Sequence, residues 1–118
     1  MRRDLARKHL DKRFTQWQPS SEFACPPRGW IRAIREAIGM TASQLATRLN
    51  VSQPRVFALE KSEISGALTL DTIRRTAQAL DCTFVYAIVP NTSLEDMVTK
   101  QAQTKVAKRL ARVNHTMK

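Results

Sequence analysis

Four consecutive residues, Ser52, Gln53, Pro54 and Arg55, interrupt a run of apolar side chains with groups suited to binding a polar partner. The Gln53 amide can bind adenine bidentately, and the Arg55 guanidinium can reach guanine or a flanking phosphate. Ser52 can cap a helix, and Pro54 fits the first turn of that helix. The stretch therefore predicts a short helix whose first turn faces a polar partner such as DNA.

Neighbouring residues extend this candidate surface. Pro54 offers only apolar contact, for example to a thymine methyl, and Ala58 is small enough for the helix to approach a partner closely. Ser52 and Gln44 stand at predicted helix starts, where the helix dipole favours phosphate contacts. The alternative is that Gln53 and Arg55 form an ordinary solvated face.

The elements that must position these side chains are two short helices. Thr41-x-x-Gln44 is a capping box that opens the first, and Ser52 opens the second. Asn50 lies in the turn between them, where left-handed backbone is expected. Ala46 supplies a small residue where the helices cross. Branched or long apolar residues lock the pair: Leu45, Leu49, Val51, Val56 and Leu59.

The remaining elements complete a mainly α fold. Apolar spacing predicts a helix from Trp30 to Gly39 and another capped by Thr69. Residues 82–90 are β-branched and aromatic and end at Pro90, so they predict one short β-strand. Ser93-x-x-Asp96 opens a long basic helix. We predict an N-terminal basic helix over 1–17, a linker over 18–29, a helix-turn-helix domain over 30–81, and a strand with C-terminal helix over 82–118.

The charge lies mainly at the two ends of the chain. The 118 residues carry a formal net charge of +10, of which residues 1–29 and 90–118 contribute +4 each. A basic chain of this size indicates binding to a polyanion, and the alternative is a merely solubilising surface.

Other classes of function fit poorly. Three isolated glycines exclude a phosphate-cradling loop, and no catalytic triad or carboxylate pair stands out. We predict neither enzymatic activity nor a cofactor. Cys25 and Cys82 are far apart, and His9 and His115 lie near opposite ends, so no metal site is expected. The start lacks a signal peptide, and no apolar run spans a bilayer, which predicts a reduced, cytoplasmic setting without a membrane partner.

Residues 30–80 resemble the lambda-repressor-like, xenobiotic-response-element family of DNA-binding domains. In that family, the second helix of the helix-turn-helix lies in the major groove. Glu60 matches the glutamate at the end of that recognition helix, and Arg35 matches its ion-pair partner on the first helix. The resemblance implies a mostly buried Arg35–Glu60 pair. Asn50 departs from the glycine that many members have at this position.

Nearly the whole chain is similar to the mobile mystery protein A family. The stretches that carry this resemblance are PPRGWIRAIREAIGMTASQLATRLNVSQPRVFALEKSE, TLDTIRRTAQALDCTFVYAIVP and SLEDMV. That family is encoded beside a Fic-domain protein, so the resemblance implies an autorepressor or antitoxin-like partner of a Fic toxin. None of the five glutamates follows a Ser or Thr by four residues, so inhibition by the inserted glutamate of small Fic antitoxins is not expected.

A lone strand would leave its backbone unpaired, so we expect a homodimer in which residues 82–90 pair with their copy. The alternative is a strand covered by the chain's own N-terminal helix. The candidate dimer or partner contacts are Phe84, Tyr86, Ile88, Val98, Val106, Leu110 and Val113.

The sequence leaves three alternative functions open. The chain can be a sequence-specific regulator that binds its own operator as double-stranded DNA and partners a Fic toxin. It can be a stand-alone regulator without a toxin, or a protein-interaction module that no longer binds DNA.

Overall fold

The computed structural model describes residues 2–17 and 24–116, and part of the predicted linker (residues 18–23) lies outside these ranges. The described residues form six helices, which we number in chain order. They are α1 (Arg3–Phe14), α2 (Trp30–Ala37), α3 (Ala42–Leu49), α4 (Gln53–Ser65), α5 (Leu70–Ala79) and α6 (Leu94–Thr116). The predicted mainly helical fold is confirmed.

The predicted strand over residues 82–90 is wrong for the single chain. This segment is irregular, and no strand occurs anywhere in the described ranges. A strand exists only when a neighbouring segment pairs with its backbone. Cys82 donates its backbone N–H to the Ala77 carbonyl (2.8 Å), but residues 83–90 make no backbone hydrogen bond to the described part of the chain. Side-chain type favoured a strand here, and the missing pairing partner prevents one.

The chain divides into two compact units, and the first contains α1, α6 and the residues from Ala87 onwards. Within it, Asp11 of α1 accepts the backbone N–H groups of Leu94 (2.7 Å) and Glu95 (3.2 Å) with its two carboxylate oxygens. Ser93 caps the same helix through the N–H of Asp96 (3.1 Å), and Arg7 pairs with Glu95 (3.1 Å). A carboxylate at the positive end of a helix is stabilising, so Asp11 fixes α1 to the start of α6.

The second unit contains α2 to α5 and ends at Tyr86. Leu45 of α3 and Val56 of α4 are fully buried, and Ala46 lets these two helices pack closely. Burying a side chain of this size contributes about 1.5–3 kcal/mol, so these residues anchor the crossing. The buried apolar core is completed by Ile31, Met40, Ala42, Leu59 and Leu80. Val51, expected to lock the pair, is instead exposed.

Local sequence signals set the helix ends of this unit. Thr41 and Gln44 form the predicted capping box, with the Gln44 N–H donated to Thr41 Oγ1 (3.1 Å) and the Thr41 N–H donated to Gln44 Oε1 (2.8 Å). Asn50 adopts left-handed backbone (φ 57°, ψ 45°) at the end of α3, as its tolerance for this conformation predicts. Thr69 accepts the N–H of Thr72 (3.2 Å) and opens α5.

An ion pair between Arg35 and Glu60 joins α2 to α4. Arg35 Nε lies 2.6 Å from Glu60 Oε1, and Arg35 Nη2 lies 3.3 Å from Glu60 Oε2. Both side chains are buried, and Arg35 Nη1 donates in addition to the Met40 carbonyl (3.1 Å). The guanidinium is therefore held in one orientation by a bidentate carboxylate and a backbone oxygen.

A second carboxylate of α4, one turn further on, caps α2. Glu63 accepts the backbone N–H of Trp30 (2.7 Å) and of Ile31 (2.9 Å). The residue at the N-cap position, Gly29, has no side chain to do this. A Cβ on Gly29 would lie 2.8 Å from Glu63 Oε1, and its φ of 86° also favours glycine. Gly29 thus leaves the space that Glu63 occupies.

Removing one partner of the Arg35–Glu60 pair should destabilise the fold strongly. Arg35→Met and Glu60→Gln each leave a buried group without its counter-charge, and we expect each to lower the free energy of unfolding by roughly 3–5 kcal/mol. The double variant should lose much less than the sum of the two. Urea unfolding of the four proteins measures this cycle, and small, additive losses would show that the pair contributes no more than an exposed one.

Removing the Glu63 carboxylate should weaken the start of α2. Because two backbone N–H groups lose a charged acceptor, we expect Glu63→Ala to cost about 1–3 kcal/mol in urea unfolding. Glu36→Ala is the matched control: Glu36 pairs with Arg32 on an exposed helix surface (2.8 Å), where such a pair contributes little to stability. Equal losses in the two variants would contradict the capping role of Glu63.

Candidate nucleic-acid interface

Helix α4 buries one face and presents the other to solvent. Val56, Leu59 and Glu60 are buried, whereas every residue from Ser52 to Arg55 is exposed. At 3.6 residues per turn, Pro54, Ala58 and Lys61 share the face opposite the buried one. All three are exposed, so this face is available to a partner.

The N-terminal end of α4 carries the predicted polar contacts. Ser52 is the N-cap, and its oxygen accepts the Arg55 N–H (3.3 Å), which leaves the hydroxyl hydrogen free to donate to a phosphate oxygen. Pro54 occupies the first turn, as predicted. Gln53 and Arg55 are exposed on either side of it. The positive end of the helix dipole and the capping hydroxyl together suit an anion.

Helix α3 presents a second polar start. The Gln44 side-chain oxygen is used in the capping box, but its amide nitrogen remains able to donate. A shallow depression lies beside it, lined by Ile38, Gly39, Met40, Thr47 and Arg48. Arg48 donates to the Ala79 carbonyl at the end of α5 (3.0 Å), so this cation has a structural partner.

Cys25 lies beside the Glu63 cap. Its Sγ is 3.7 Å from Glu63 Oε2. Desolvation raises the pKa of the Cys25 thiol above its ordinary value, and the charge of Glu63 and the hydrogen bond to it raise that pKa further. A thiol with a raised pKa is a weak nucleophile at neutral pH, so this site does not favour thiolate chemistry.

Sequence reasoning missed three residues around this surface. Phe57 and Lys61 are exposed on α4 beside the predicted contacts, and their spacing from Pro54 and Ala58 was a readable signal. Glu63 joins α4 to α2 by accepting the backbone N–H groups of Trp30 and Ile31. Its signal was indirect: α2 begins after a glycine and so needs a cap from elsewhere.

The residues predicted for dimer or partner contacts are divided between the two units. Phe84 and Tyr86 belong to the unit that contains α2 to α5, and their rings stack with centroids 5.6 Å apart. Ile88 and the four residues of α6 belong to the other unit. Tyr86, Ile88, Val98, Val106, Leu110 and Val113 are exposed, and Phe84 is partly buried.

Within residues 2–17 and 24–116, no cluster of His, Cys, Asp and Glu side chains could hold a metal ion. The helices described in the same ranges include none long and apolar enough to cross a membrane.

Comparison with known proteins agrees with this geometry over part of the chain. The helix-turn-helix family model matches residues 31–86, which include α3 to α5 and all of α2 except Trp30. No curated protein and no solved structure matches the chain. The matched segment and the α3–turn–α4 arrangement agree: residues 31–86 are similar to helix-turn-helix domains, and this similarity suggests a DNA-binding regulator.

Proposed function

We propose that this protein is a sequence-specific regulator of transcription that inserts the first two turns of α4 into the major groove of its operator. The observation that carries the proposal is the exposed, capped N-terminal half of α4, backed on its other face by the buried Arg35–Glu60 pair. A recognition helix needs both features, because its N-terminal side chains must reach base edges while its position stays fixed.

Individual roles follow from the chemistry of the exposed side chains. Gln53 can bind adenine through two hydrogen bonds, and Arg55 can bind guanine or a flanking phosphate. Pro54 and Ala58 allow close approach and apolar contact. Ser52 and the Gln44 amide nitrogen donate to phosphates, which fixes the register of the helix without reading sequence.

The terminal helices supply a different contribution. Residues 1–20 and 87–118 contain twelve of the 20 Lys and Arg residues and four of the ten acids, so they carry most of the net charge. Cations that neutralise phosphates raise the affinity for any DNA and make it dependent on salt. We assign general DNA affinity to these helices and sequence preference to α4.

Substitutions in α4 should therefore affect binding to the selected sequence, whereas substitutions in α6 should affect binding to any DNA. Gln53→Ala and Arg55→Ala should each weaken binding to a selected duplex by about 1–3 kcal/mol if they contact bases. Lys105→Ala and Lys108→Ala should weaken binding to every duplex alike and reduce the slope of affinity against salt by about 1 each. Fluorescence anisotropy on selected and scrambled duplexes at several salt concentrations measures both effects.

Gln78→Ala is a matched control, because Gln78 is an exposed glutamine on α5. If Gln53→Ala kept both affinity and preference for the selected duplex, the proposed docking of α4 would be wrong. If the unaltered chain bound no DNA at all, the result would favour a protein-interaction module instead.

We further propose that the regulator acts as a homodimer. The supporting observation is a backbone segment without hydrogen bonds and exposed apolar surface: residues 83–90 make no backbone hydrogen bond to the described chain, and Tyr86, Ile88, Val106 and Leu110 are exposed. Pairing of residues 82–90 with their copy would satisfy this backbone, with α6 packing nearby. A two-fold dimer would address two half-sites separated by about one turn of DNA, or a multiple of it.

The resemblance to mobile mystery protein A supports a partner as well, namely a Fic-domain toxin encoded beside this chain. The regulator would then repress its own operon and bind the toxin through its terminal helices. Their positive charge would speed association with an acidic partner, and the exposed apolar residues of α6 (Val98, Val106, Leu110 and Val113) would provide buried area. A stand-alone regulator is the alternative, and a neighbouring Fic reading frame distinguishes the two.

One truncation separates these contacts. A chain ending at Pro90 lacks α6 but keeps the α4 surface and residues 82–90. We expect light scattering to give a dimeric mass for the full chain, and co-purification of the Fic protein to fall on truncation. Equal recovery with both chains would exclude α6 as the docking element. A monomeric full chain at micromolar concentration would contradict the dimer. The variant Ile88→Pro tests the strand pairing separately, because proline removes a backbone donor.

A further inference from the structure

The outward face of α4 contains an aromatic side chain to which neither its fold nor the proposed contacts assign a role. Phe57 is 51% exposed, although its neighbour Val56 and Glu60, three residues further on, are buried. Pro54 precedes it by three residues, and Lys61 follows it by four. Residues at these spacings are neighbours on a helix surface. Phe57 therefore extends the apolar surface that Pro54 and Ala58 begin.

We propose that Pro54, Phe57 and Ala58 form a surface that reads the 5-methyl groups of thymine. This inference rests on the proposed docking of α4 and adds the chemistry that its centre would recognise. None of the three side chains can donate or accept a hydrogen bond. Along the major groove, the thymine methyl is the apolar feature of the base edges, and Ala and Phe are suitable partners for it.

The same surface disfavours guanine and cytosine. Guanine presents two acceptors in the major groove, and cytosine presents a donor. Covering a G·C pair with Pro54, Phe57 or Ala58 would remove water from as many polar groups as covering an A·T pair, but no methyl contact would offset part of that cost. Discrimination at the centre of the site therefore comes from the methyl contact that only a thymine can make.

The polar side chains lie at the borders of this surface. Gln53 precedes it at the start of α4, and its amide suits adenine. Lys61 follows it and suits a phosphate at the rim of the groove. The geometry thus predicts half-sites rich in A·T pairs, in which adenine is read by hydrogen bonds and thymine by its methyl group.

The test uses the full chain and a duplex that it selects from a random pool. Each thymine of the half-site is replaced in turn by deoxyuridine, which keeps the hydrogen-bonding groups and removes only the methyl. We expect one or more positions at which this replacement weakens binding by roughly threefold to tenfold, the effect of losing about one buried methyl group. Anisotropy titrations at fixed salt measure the ratio.

The loss of affinity on replacing thymine by deoxyuridine must also depend on Phe57 or on its neighbours. For Phe57→Ala, the ratio of the affinities for the thymine and deoxyuridine duplexes should fall towards one for at least one of those positions. This is expected because two groups in contact have coupled effects on binding. Ile38→Ala is the control, because Ile38 is similarly exposed (57%) but lies at the end of α2, and it should leave the ratio unchanged. Since Phe57 is half-exposed, its variant should unfold at nearly the same urea concentration.

Two failures are distinguishable. If the chain selects a duplex but binds it equally with deoxyuridine at every position, the thymine inference is wrong and the proposed regulator stands. Selection of G·C pairs across the centre of the half-site would likewise overturn the inference alone. If the chain selects no sequence at all, the proposed function fails and this inference fails with it.

Discussion

The position of α4 depends on two of its own carboxylates, Glu60 and Glu63, both of which bind α2. Glu60 holds the Arg35 guanidinium in a buried, bidentate pair, and Glu63 accepts the first two N–H groups of α2. Helix α2 has only eight residues and no side-chain cap of its own. A helix of this length is not stable alone, so it depends on α4 as much as α4 depends on it. The two contacts lie on the side of α4 away from Pro54 and Ala58, which leaves that exposed face available.

These contacts separate support from recognition within one helix. Val56, Leu59, Glu60 and Glu63 hold α4, while the residues that we propose to contact DNA share none of these contacts. Changes on the outward face can therefore alter the bases that are read with little effect on folding. We propose that general affinity and sequence preference are divided in a similar way between the two units. In this proposal the basic terminal helices bind phosphates of any sequence, and α4 selects among sequences.

How much of this was predictable depends on the distance along the chain between the interacting residues. Thr41 with Gln44, Ser52 with Arg55 and the left-handed Asn50 are local signals, and the structure has all of them. The Arg35–Glu60 contact was expected only through a family resemblance. Two caps could not be read in this way: Glu63 lies 33 residues from Trp30, and Asp11 lies 83 residues from Leu94. The strand over residues 82–90 was predicted from side-chain type, but pairing requires a partner that the described single chain does not supply.

Whether DNA binds the N-terminal half of α4 can be measured directly from backbone amide chemical shifts during titration with a selected duplex. We expect the largest changes at Ser52, Gln53 and the residues from Arg55 to Ala58, with smaller changes at the start of α3 around Gln44. Amides inside α5 should change little. Large shifts confined to α5, or to α1 and α6, with α4 unaffected by a duplex that binds with sequence preference, would show that α4 is not the recognition helix.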